Sequence, residues 1–237
     1  MPQDNPYLAN PRWAVAERVA ETARRRFPAD VLAIGAYGRL AHGDDDETTG
    51  IDLVVVTYRE SGGPRPTRRR IDGVLVKLDV VDADRCLRRA RTLDTSWPLA
   101  ADRYVTTRPL YDPTGWLDQL RDAHLGRLAQ ARAPEFSTLA REAWCEAASA
   151  HALAGRLAAW YDTDGALVGL GVARLAAANV VGLLTRTYFR DGADAVRRAG
   201  LAGADLTELG EVLRAQAGEL AARGRPVDGT VADLFDA

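Results

Sequence analysis

The stretch VLVKLDVV, residues 74–81, sets a lysine inside an apolar run that reads as a buried strand. Lys77 is the only lysine of the chain; every other member of its 31 Lys and Arg positions is arginine. Arginine would serve for a salt bridge. Lysine can also give up its proton near neutral pH when burial disfavours the charge, which makes it a candidate general acid/base or imine-forming amine. Asp79 follows at period two, on the same strand face. Asp52 opens the neighbouring apolar run IDLVVVTY, residues 51–58. An ammonium between these two carboxylates would have its charge satisfied. Tyr37 and His42 lie on either side of the glycine turn in AYGRLAH. Both are candidates to touch a small molecule, with a solvated loop as the other reading for His42.

The elements that must position these groups follow from periodicity and breakers. Residues 12–27 carry apolar positions at helical spacing, and Pro28 ends the helix. VLAIGAYG (31–38) reads as a buried strand running into a glycine turn, and GDDDETTG (43–50) as a solvated acidic loop. IDLVVVTY is a second strand, 59–70 a loop or hairpin connection marked by Gly-Gly and two prolines, and IDGVLVKLDVVD (71–82) a third strand. ADRCLRRARTL is helical, and YVTTRPLYD (104–112) holds a short extended piece. From 116 onward the pattern is helical, broken near Pro134, at DTDG (162–165), at RDGADA (190–195) and at RGRPVDG (223–229). The expectation is an α+β protein: a mixed-sheet domain with helices over 1–115, then a helical bundle over 116–237.

Composition narrows the function classes. A net charge of −2 gives no electrostatic case for nucleic acid or an anionic membrane, and the Arg triplets at 24–26 and 68–70 read as solvated surface. No stretch reaches the ~18–20 uninterrupted apolar residues of a membrane span, and the first residues carry no export pattern. Two cysteines, Cys86 and Cys145, are too few for a disulfide framework or a zinc site. A cytoplasmic protein acting on a small molecule is expected. His124 reads as surface, and Trp97, Tyr104, Trp116, Trp144 and Trp160 as core, with Trp144 and Trp160 alternatively facing a ligand.

The run AIGAYGRLAHGDDDETTGIDLVVV joins a strand, a Gly-x-x-Gly turn, a loop and a strand opening on an acid. It resembles the nucleotidyltransferase superfamily, and within it the aminoglycoside (kanamycin) nucleotidyltransferases. The similarity runs on through DTSWPLAADRY, PLYDPTGWL and NVVGLLTR. The resemblance implies a Gly-Ser turn for the nucleotide phosphates and three carboxylates on two strands holding Mg²⁺. It also implies a glutamate base on a later helix and a homodimer with active sites between subunits. Laid on this chain, serine of the turn becomes Arg39, the acidic pair reads Gly50-Ile51-Asp52, and the third carboxylate falls on Lys77. The helical base falls near Ala150, whose neighbours offer Glu146 and His151.

An ammonium beside Mg²⁺ costs several kcal/mol even at an effective dielectric near ~20. Lys77 would thus stand where the metal stood, and Arg39 would add a cation suited to a carboxylate, enolate or phosphate-like group. The expectation is a repurposed enzyme using no metal or ATP. Lys77 with Asp52, aided by His151 or Glu146, would drive cyclisation, elimination or isomerisation. Tyr37, Arg39, His42, Asp79 and Trp144 would line the substrate. Two alternatives stay open: an ATP- and Mg²⁺-dependent nucleotidyltransferase with Asp52 and Asp79 on the metal, and a silent binding protein.

Overall fold

A computed structural model of the chain describes residues 10–44, 46 and 48–234. Residues 1–9, with Asp45 and Glu47 of the acidic loop, lie outside the described residues. The elements run α1 (Pro11–Arg26), β1 (Val31–Tyr37), α2 (Arg39–His42), β2 (Ile51–Thr57), β3 (Thr67–Ile71), β4 (Val74–Asp82), α3 (Ala83–Ala90) and α4 (Trp97–Thr106). They continue as β5 (Arg108–Tyr111), α5 (Trp116–Gln130), α6 (Ala133–Ala159), α7 (Thr163–Thr185), α8 (Gly192–Arg198) and α9 (Leu206–Ala222). The architecture is α+β, a mixed five-stranded sheet followed by helices, as the sequence pattern requires.

The chain divides into two compact units, residues 1–92 with 101–129 and residues 93–100 with 130–237. The division differs from a simple cut at 115. Trp116, Leu117 and Leu120 of α5 join the core over the sheet with Val54 and Val56, so α5 belongs to the first unit. Residues 93–100 belong to the second: Trp97 meets the Phe136 ring edge-on at 5.3 Å, and the Phe189 N–H donates to the Pro98 carbonyl at 2.7 Å.

In the first unit the strand order is β3-β4-β2-β1-β5, with β2–β4 parallel and the other pairs antiparallel. One sheet face carries Ile34, Leu53, Val55 and Val76 against Trp13, Ala16 and Ala20 of α1. Asn10 caps α1 by accepting the Arg12 N–H, and Pro11 enters where its missing donor costs nothing. β3 hides in the sequence because four of its five residues, Thr-Arg-Arg-Arg, are exposed, and a charged edge strand lacks the alternation that marks a buried one. It turns into β4 through Asp72 (φ 49°) and Gly73 (φ 81°), the two positive-φ positions of a tight hairpin.

Two residues sit opposite to expectation. His124 is fully buried, and its Nδ1 bonds the Ala90 carbonyl at 2.7 Å, tying α5 to the end of α3. Burial lowers its pKa. Trp160 is 74% exposed, because α6 ends at Ala159 and its C-cap residue points away from the core.

The second unit gathers Ala147 and Ala154 of α6, Ala173 and Ala177 of α7, and Leu209 and Leu213 of α9 into an alanine-rich core. Gly169 lets α7 come close to α6; a Cβ there would lie 3.0 Å from the Ala154 Cβ. By length and composition α7 is apolar enough to cross a membrane, with half of its most apolar window buried. The sequence contained no uninterrupted apolar span because Arg174 and Asn179 divide this helix.

Gly35 lies mid-sheet, where a Cβ would overlap Thr107 Cγ2 and come within 3.1 Å of the Arg108 carbonyl oxygen. Gly35→Val should therefore cost about 2 kcal/mol or more through overpacking, read as a lower urea midpoint at unchanged slope. An unchanged midpoint would contradict this packing.

Candidate functional site

Strand register assembles the site. Tyr37 of β1 pairs with Asp52 of β2, Asp52 with Lys77 of β4, and Lys77 with Arg68 of β3. Paired residues share a sheet face, so one polar row crosses four strands. In the next row Asp79 pairs with Val54 and Val54 with Gly35. The chain thus places Asp52, Lys77, Tyr37 and Asp79 on one face, the one whose Val54 packs with α3 and α5.

Asp79 Oδ2 is the centre of this group. The Tyr37 hydroxyl donates to it at 2.6 Å, and the Lys77 ammonium lies at 2.9 Å. Arg103 of α4 brings its guanidinium to 3.3 Å. Lys77 also donates to the Tyr37 oxygen at 3.0 Å. Arg103 stacks over the Tyr37 ring at 4.7 Å. Burial alone would raise the Asp79 carboxyl, but hydrogen bonds from Tyr37 and Lys77 and the charges of Arg103 and Lys77 bring it below its usual value.

The environment of Lys77 runs against a lowered pKa. Burial, the largest single influence, lowers its pKa, yet hydrogen bonds with Tyr37 and Asp79 outweigh it and the ammonium is held above the usual value. The lysine is only partly buried, and its contacts with Tyr37 and Asp79 favour its charged form. Tyr37 is likewise raised, by burial first and by its bond to Asp79, against the pull of Arg103 and Lys77.

Asp52 has the opposite environment. Burial raises its pKa, Lys77 opposes, and the charge of Asp79 adds to the rise. Among the described residues it takes no hydrogen bond, and its Oδ2 rests against Gly38, where a Cβ would lie 3.2 Å away. Gly38 has φ 70°, so glycine serves there for backbone conformation and for this close approach.

The remaining candidates separate. Arg39 opens α2 with its guanidinium exposed, 3.7 Å from the Asp46 carboxylate. His42 Nε2 meets both oxygens of the buried Asp102, at 2.9 and 3.1 Å, so it staples α2 to α4. The second-unit candidates are each engaged within that unit. Trp144 Nε1 donates to the Leu213 carbonyl at 2.8 Å, His151 Nε2 to the Leu206 carbonyl at 2.7 Å, and exposed Glu146 accepts Thr95 Oγ1 at 3.4 Å. Trp144 and His151 thus pack α6 against α9. Arg103, Asp102 and Arg68 were not singled out from sequence. A signal existed for the first two, an Asp-Arg pair inside the otherwise apolar WPLAADRYVT; the third was masked by its arginine triplet.

The donor set does not fit a divalent ion. Asp52 and Asp79 are the carboxylates at hand, and Asp79 Oδ2 is already shared by a hydroxyl and two cations. Among the described residues no cluster of three His, Cys, Asp or Glu is arranged for a metal.

No family model matches the chain, and no curated protein matches it. A solved structure described as a nucleotidyltransferase-like protein from Exiguobacterium sibiricum 255-15 is similar at a TM-score of 0.43 and 16% identity, covering 94% of this chain and 83% of that one.

The two acids should respond to pH in opposite senses. Asp79, held below its usual 3.8, stabilises the fold above that pH, and the stabilisation fades as pH falls through the native value. Asp52, raised above 3.8, is tolerated fully only when protonated, and stability is lost as pH rises through its native value. In thermal melts at neutral pH, Asp79→Asn should destabilise by about 1–2 kcal/mol and Asp52→Asn should stabilise. The Asp52 difference should close as pH falls below 3.8, and the Asp79 difference only further down, as pH falls through its lowered native value. Destabilisation by Asp52→Asn at neutral pH would overturn the assignment.

Proposed function

We propose that the chain is a nucleotidyltransferase fold of the kanamycin type whose site has changed from nucleotide transfer to acid/base chemistry on a small molecule, without metal or ATP. The supporting observation is the saturation of Asp79 Oδ2 by Tyr37 at 2.6 Å and Lys77 at 2.9 Å, with Arg103 at 3.3 Å. A further positive charge brought to that oxygen meets two cations at close range.

The chemistry then rests on Asp52. A half-buried carboxylate with a raised pKa is a better general base than a solvated one. It takes a proton from a carbon next to a carbonyl, and the electron pair moves to the carbonyl oxygen. Lys77, fixed as ammonium, offers that enolate a preorganised positive charge. Returning the proton to another carbon isomerises the substrate, while expelling a leaving group eliminates it. Lysine assists by charge in this reading and Asp52 moves the proton.

The engagement of Lys77 by Asp79 and Tyr37 also suits a silent binding protein, in which the ammonium only neutralises its neighbours. Titrating Asp52 by ¹³C NMR separates the readings. An active base should titrate above the usual carboxylate range and climb further in Lys77→Met, which removes the nearest cation. A normal pKa that ignores the substitution would sink the acid/base reading. Calorimetry with ATP tests the other side: binding should show no magnesium dependence, and micromolar binding that requires Mg²⁺ would restore nucleotide transfer.

A further inference from the structure

α1 presents two adjoining rows of side chains on one face. Val15, Val19 and Ala23 follow one another at i,i+4 and lead to Phe27 at the helix end. Arg18, Thr22 and Arg26 form the second row at the same spacing. With Ile71 of β3, Leu78 of β4 and Pro64 opposite, these rows line a groove of about 430 Å³, within the range of small-molecule pockets. Its apolar floor is continuous with the core under α1, to which Val15, Ala23 and Leu78 belong. The ionisable residues lining it are Arg18 and Arg26, both cations. Arg18 is engaged by Asp72 of the β3–β4 turn. Arg26 makes no hydrogen bond or ion pair with its side chain among the described residues. Thr22 donates its hydroxyl proton to the Arg18 carbonyl at 2.8 Å, which leaves Arg26 as the donor at the rim.

We propose that this groove binds a medium-chain aliphatic carboxylate, its alkyl chain laid along the valine row and its carboxylate paired with Arg26. Because Asp72 already matches Arg18, the rim keeps one unmatched positive charge, which suits a monoanion. A guanidinium takes a carboxylate through two parallel hydrogen bonds. From Arg26 back to Val15 the helix rises roughly 16 Å, a length that an extended chain fills and a compact anion such as phosphate does not. The apolar floor rewards the tail by burial, whereas a neutral alcohol of the same length would leave Arg26 unpaired. Leu78 turns toward α1, while its neighbours Lys77 and Asp79 turn to the other sheet face. The groove is therefore separate from the polar row, and the inference is independent of the chemistry assigned to Asp52 and Lys77.

Titration calorimetry of the full chain with decanoate, kept below its micelle concentration, tests the proposal. Binding should show a Kd of about 10–100 μM. Arg26→Gln should weaken it about tenfold or more. Arg25→Gln removes a charge from the same helical turn outside the groove and should leave binding unchanged. Decanol should bind about tenfold more weakly than decanoate. Isoleucine methyl NMR locates the ligand. Of the three isoleucines, Ile34 and Ile51 are fully buried and Ile71 lines the groove. The Ile71 methyl signal, assigned through Ile71→Val, should shift most on adding decanoate. Binding weaker than about 1 mM, an Ile71 signal that stays in place, or an Arg26→Gln chain that binds as tightly as the wild type would overturn the inference. So would binding to phosphatidylglycerol vesicles without binding to free decanoate, which would assign the cations to a membrane surface.

Discussion

The Asp79 oxygen shared by Tyr37, Lys77 and Arg103 is the contact on which the polar face of the first unit depends. Three elements converge there: β1 brings the phenol, β4 both members of the Lys-Asp pair, and α4 the guanidinium. Removing any cation would leave a half-buried carboxylate underpaired, and removing the carboxylate would leave two cations facing each other. Lysine is suited to this place. Its compact ammonium reaches an acid on its own strand and a hydroxyl two strands away, whereas a planar guanidinium on β4 would have to divide its fork between them.

That contact also sets the contrast between two neighbouring acids. Asp79 is kept charged by its partners, whereas Asp52, one row along and one strand over, is pushed toward its neutral form by burial. Environments that drive two carboxylates apart are the usual basis for assigning separate roles in acid/base chemistry. Here the division follows from register: β2 and β4 run parallel with Asp52 opposite Lys77 and Val54 opposite Asp79. A slip of one residue on β4 would turn Lys77 and Asp79 to the apolar α1 face.

Much of this was legible in the sequence, for identifiable reasons. The apolar runs of β1 and β2, the period-two spacing of Lys77 and Asp79, and the Pro and Gly breaks between the later helices are local signals. The identity of the partners was not local. Arg103 reaches Asp79 from 24 positions away in the chain, and nothing in the spacing of β4 announces it. The same gap hid the protonation state of Lys77: an apolar run suggests desolvation, but the hydroxyl that offsets it comes from β1. β3 escaped notice because an exposed arginine-rich edge reads as a loop, and His124 because a lone histidine among charged residues reads as surface. In the second unit, His151 looked reactive by type and Trp144 a candidate to line a ligand, while both serve as hydrogen-bonded joints between α6 and α9.

The chain holds a single lysine, so one isotope-labelled residue type gives one signal. The decisive measurement is the pH titration of [¹³Cε]-lysine in the full-length protein, with and without Mg²⁺ and ATP. The account expects a side chain that stays charged beyond its ordinary 10.5 and whose shift is indifferent to magnesium. A titration near neutrality, or a resonance that moves to a solvent-exposed position when magnesium and nucleotide are added, would contradict it.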